Sequence, residues 1–148
     1  MRFMVFLTLM LTVTACAKHT TAVPRSASPN VAAADPYSNG RSIFTTGRDL
    51  AGEKITAPSP PLRSSCTACH RADGSGGMHL PGGAVSADLR HKALVTEQRR
   101  PYTVPLLERA ISTGIDNEGA KLDPVMPRWR MSKSDLHDVA LYVYNRLK

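Results

Sequence analysis

The sequence is short of cysteine, of aromatic side chains and of negative charge. Three cysteines, Cys16, Cys66 and Cys69, cannot make a closed disulfide framework. Aromatics are 5% of the chain, and two of the three phenylalanines, Phe3 and Phe6, stand at its very start. Beyond residue 15 only Phe44, Trp129 and four tyrosines remain, although a domain usually builds part of its core from aromatic mass. Hydrophobic residues still make up 42%, so the chain is not a disordered polar polymer throughout. Either the domain is loosely built or something the chain does not encode fills its centre. There is no internal repeat and no constellation of general acid, base and nucleophile. A length of 148 residues leaves room for one domain.

The longest uncharged apolar stretch, residues 3–15, is too short to cross a bilayer, which takes about 20 residues. Arg2 before it and Val13-Thr14-Ala15-Cys16 at its end read as a lipoprotein signal peptide over residues 1–15. Cleavage there leaves Cys16 first and diacylated, and more than one acyl chain gives stable membrane anchoring. An ordinary signal peptide with an incidental cysteine is the alternative. Residues 16–36 are rich in Ala, Ser, Thr and Pro and lack apolar periodicity. They read as a flexible tether spanning about 25 Å on average, and His19 within it as solvated. The folded domain is then residues 37–148, held at the periplasmic face of a bacterial membrane.

Cys66-Thr67-Ala68-Cys69-His70 is a C-x-x-C-H motif, the attachment signature of c-type haem. Two thiols three positions apart reach the vinyl groups on one edge of a porphyrin. The next residue then presents its imidazole to the iron. A thioredoxin-like redox pair needs a βαβ pattern around it, which is missing. Zinc needs four ligands, and only His79 and His91 could complete the set. One covalent haem c per chain accounts for both cysteines and supplies the missing apolar centre.

With these residues the chain resembles a class I c-type cytochrome over about residues 37–148. The resemblance rests on Gly40 and Phe44 in a first helix, on CTACH, and on Met126-Pro127 before a last helix. It implies a small all-α cytochrome c fold, three to five helices wrapped around one covalently bound haem. It implies His70 and Met126 as axial ligands, a pair that raises the reduction potential relative to two histidines. Met78, Met131, His79, His91 and His137 are the rival ligands. It also implies that the Pro81 carbonyl receives the His70 Nδ1–H, with a plain turn proline as the alternative. Arg90 and Trp129 are candidate donors to the haem propionates. The run Gly74-Ser75-Gly76-Gly77 suits a close backbone pass or a flexible loop.

Helices are expected over about Pro36 to Thr45, Thr103 to Thr113 and Lys133 to Leu147, with Ser132 and Gly114 as end signals. Leu136, Val139, Ala140, Val143 and Leu147 form the inner face of the last one. Short helices are expected after His70 and near Ser86 to Val95. Residues 45–65 depart from the simplest family members and read as an exposed insertion with a hairpin around Gly52. The net charge is +7, and Arg128 and Arg130 beside Trp129 suit an acidic protein partner. A membrane-tethered electron carrier rather than an enzyme follows, with a dehydrogenase, reductase or terminal oxidase as redox partner and no nucleic acid. The competing class is a haem enzyme or gas sensor with a labile sixth ligand.

Overall fold

The computed structural model describes residues 36–58 and 64–148. The expected signal segment, Cys16 and the tether up to residue 35 lie outside the described residues. Four α-helices carry the fold: α1 (Pro36–Thr46), α2 (Thr67–His70), α3 (Val104–Thr113) and α4 (Lys133–Arg146). A 3-10 turn covers Pro81–Gly83 and one turn of π-helix covers Lys92–Thr96. Extended pairing among the described residues is limited to isolated bridges. The all-α expectation therefore holds.

The helix ends follow local chemistry. Thr103 caps α3 by accepting from the Leu106 amide at 3.4 Å, Pro105 sits in the first turn, and Gly114 ends the helix in the left-handed region. Ser132 caps α4 through the Asp135 amide at 3.1 Å, and Asp135 in the first turn complements the helix dipole. Val139, Ala140 and Val143 of α4, with Leu147 just beyond it, meet Ile43, Phe44, Leu94 and Leu107 in the core. Leu136 is only partly buried.

Helices α1 and α4 cross in close contact. At Gly40 there is no room for a side chain: a Cβ would stand 2.7 Å from both the Asp138 carbonyl carbon and the Tyr142 Cβ. Phe44 and Tyr142 pack one turn on, with ring centroids 5.6 Å apart. Buried Asn39 ties the crossing with Nδ2 donating to Asp135 at 2.8 Å and Asp138 at 2.9 Å.

One segment differs from expectation and another adds to it. The described part of the insertion, residues 45–58 and 64–65, is mostly exposed and turns back around Gly52 as expected, and it is also tied to the domain. After a turn closed by the Arg48–Lys54 bridge, Thr56 donates to the Arg130 carbonyl at 3.0 Å and accepts from the Arg130 amide at 2.6 Å. Ile55 packs on the core, and Asn39 Oδ1 receives the Leu50 amide at 2.9 Å. The expected helix near Ser86 to Val95 is shorter and later. Residues 84–90 are not helical, because Ser86 pairs with Gly77 and Met78 across a hairpin.

Candidate haem site

The helices enclose a cavity of about 620 Å³, within the size range of cofactor sites. Apolar side chains such as Phe44, Leu94, Leu107, Ile111 and Val143 line it, and so do Cys66, Cys69, His70 and Met126. The CTACH segment turns helically, with the His70 amide donating to the Cys66 carbonyl at 2.8 Å. Thr67 Oγ1 fixes this turn to the end of α1 through the Thr45 carbonyl at 3.2 Å. Arg71 then leaves α2 at φ 62° and ψ 168°, the one positive-φ residue other than glycine among the described residues.

His70 is buried, and its Nδ1 lies 2.8 Å from the Ala87 carbonyl. A carbonyl only accepts, so Nδ1 carries the proton and Nε2 is left with its lone pair. Burial holds the imidazole below its ordinary pKa, partly offset by the Ala87 carbonyl. Neutral imidazole with its second nitrogen anchored is the form that ligates a metal. Burial pushes the Cys66 thiol up to about 12, with the backbone amide pulling against it and Cys69 adding to it.

The expected partner of His70 is corrected here. Pro81 lines the cavity, but it lies at the exposed tip of a hairpin closed by the His79–Val85 bridge. The hairpin carries the chain out and back, and the carbonyl that returns to His70 belongs to Ala87. No side-chain signal marks such a backbone acceptor. Arg90, the candidate propionate donor, is engaged elsewhere in this structure. It does not line the cavity, and its Nε donates to both Asp88 oxygens at 3.0 Å. Trp129 is buried and lines the cavity. Tyr102 and Asn117 also line it and went unmarked in the sequence.

All three candidate methionines, Met78, Met126 and Met131, border the cavity. His91 is held by the Tyr144 carbonyl at 2.9 Å and its ring stacks edge-on against Tyr144. His137 is exposed and pairs with Glu108 at 2.8 Å. Among the described residues no group of three His, Cys, Asp or Glu is disposed to hold a metal ion.

A family model for cytochrome c matches residues 37–146. The chain belongs to the cytochrome c family. Its cofactor is covalently attached haem c. The residues fit this group: two thiols, a neutral anchored imidazole and thioethers on the wall of one largely apolar cavity. Among solved structures, that of oxidised SHP, an oxygen-binding cytochrome c, is similar at 19% identity and a TM-score of 0.39. The match covers 70% of this chain and 76% of that one. No curated protein matches the sequence.

Proposed function

We propose that this cytochrome c domain is a one-electron carrier with its haem held by Cys66 and Cys69 and ligated by His70 and Met126. Haem c supplies reversible ferric–ferrous chemistry when bound. The chain's own part is to hold two ligands still. His70 is set by Ala87. Met126 stands in a tight turn in which its amide donates to the Asp123 carbonyl at 3.1 Å and the Val125 amide to the Asp123 carboxylate at 2.8 Å.

The observation that carries the choice of Met126 is where its rivals are anchored. Met78 is bonded on both sides to Ser86, the residue before Ala87, and so belongs to the wall that supports His70. Met131 packs against the hydrophobic core beside Ser132, the cap of α4. Met126 comes from a separate segment of chain. Held by both His70 and Met126, the haem group would exchange an electron with little rearrangement of the chain.

The reading includes export through the signal peptide, acylation at Cys16 and tethering at the periplasmic face of a bacterial membrane. Exposed Arg130 beside the Met126 segment suits an acidic surface on a dehydrogenase, reductase or terminal oxidase. The ferric protein should show the far-red methionine-to-iron band. Met126→Ala should abolish it, and Met78→Ala and Met131→Ala should keep it. Persistence of the band in Met126→Ala sinks the ligand assignment. Ready binding of carbon monoxide by the ferrous wild type at neutral pH favours the open-site, gas-binding class instead.

A further inference from the structure

Arg128 was expected to face an acidic partner, but its side chain turns inward. Nη2 donates to the Leu122 carbonyl at 2.8 Å. Nη1 donates to the Met126 carbonyl, with the Asp123 carbonyl at 3.4 Å beside it. No carboxylate pairs with this guanidinium among the described residues. The group instead lies on the backbone of Gly114, the left-handed residue that ends α3. A Cβ there would overlap Nε and Cζ of Arg128 and stand 2.5 Å from its Cδ. The same turn is tied to α3 by the Leu122 amide on the Gly114 carbonyl and the Trp129 amide on the Ile111 carbonyl, both at 2.9 Å.

We propose that Arg128 is a positioning residue for the sixth ligand: its guanidinium, seated on Gly114, clasps the carbonyls of the 122–126 turn and holds Met126 in place. This rests on the reading that Met126 is that ligand. A planar fork with several donors can serve separate carbonyls at once, whereas a lysine ammonium supplies the charge without the fork. Gly114 is required because any larger residue removes the seat. Charge-assisted bonds of this kind are among the stronger ones a side chain makes. Their loss raises the fraction of molecules with Met126 released, and an external ligand then binds more tightly in proportion.

The test titrates imidazole into the ferric, haem-loaded protein at fixed pH and follows loss of the far-red band. Arg128→Lys and Arg128→Gln should each lower the half-displacing concentration by about tenfold or more. Gly114→Ala should give the same shift with Arg128 unchanged in sequence, and should add nothing to it in the Arg128→Gln background. Strain from alanine at φ +69° would appear in the thermal midpoint rather than in that double variant's imidazole titration. If Arg128→Gln fails to retain haem, the Arg128→Lys and Gly114→Ala titrations decide. A wild-type midpoint in the variants that load haem overturns the proposal. So does a shift in Arg128→Gln with none in Arg128→Lys, since charge alone would then suffice. Met126→Ala separates the two levels: a retained band refutes the ligand reading. A lost band alongside wild-type imidazole titrations of the Arg128 variants refutes only the positioning role.

Discussion

Replacing Gly40 by alanine sets two effects of opposite sign against each other. Alanine is a better helix former than glycine by about 1 kcal/mol. In an unencumbered α1 the substitution would therefore stabilise. In the crossing it does not, because the new methyl group meets the Asp138 carbonyl and, at 2.7 Å, the Tyr142 Cβ. Those atoms belong to the backbone and root of α4 and cannot rotate aside, so the helices must part. Parting them loosens the Phe44–Tyr142 contact and the Asn39 bonds to Asp135 and Asp138. Overpacking of this kind costs about 1–3 kcal/mol, and the upper end applies where the neighbours are rigid. The net expectation is destabilisation by about 2 kcal/mol, a fall of roughly 8 °C in Tm for a domain of this size. Circular dichroism melts at matched haem loading measure it, with exposed Arg41→Ala in the same helix as the control, expected within about 0.5 kcal/mol of wild type. A Gly40→Ala protein as stable as wild type, or more so, refutes the crossing as described.

Two further expectations concern the surroundings of His70. Arg71 holds φ 62° and ψ 168°, a region that costs residues other than glycine about 1–3 kcal/mol. Against the entropy of glycine, about 0.5–1 kcal/mol, Arg71→Gly should still raise the thermal midpoint, and a fall refutes the strain. The Asp88 carboxyl is held below its ordinary value by the hydrogen bond from Arg90. A lowered folded-state pKa means that the stabilisation is present above the unfolded value, about 3.9, and is lost as pH falls through the folded one. Denaturant melts should therefore show Asp88→Asn less stable than wild type at pH 7 by a few tenths of a kcal/mol, given the partial exposure. The gap should close as the pH is taken down through the folded-state value, and a gap that stays the same into strong acid contradicts this.

What the sequence disclosed was mostly local. Helices α3 and α4 could be drawn because their end signals, Gly114 and Ser132, act within a few residues of where they stand. CTACH was legible for the same reason, its thiols and imidazole being brought together by one helical turn. What required the chain to return on itself was not legible. Pro81 stands at a family-like distance from His70 in sequence, yet the hairpin hands the Nδ1 bond to Ala87. Arg90 looked free for an anionic cofactor, but Asp88, two residues away, takes its guanidinium. Residues 45–65 were legible as a mostly exposed segment, but nothing in their composition announces the pairing of Thr56 with Arg130. Arg128 read as a surface charge because its acceptors are main-chain carbonyls.

The central claim, that the fold closes around a haem bonded to Cys66 and Cys69, is tested most directly by mass spectrometry of the proteolytic peptide containing residues 66–70. The peptide should come from mature protein extracted with acid and acetone. It should carry the added mass of one haem, with neither thiol open to alkylation. A bare peptide with both cysteines alkylated, its pigment left in the acetone, would contradict the account.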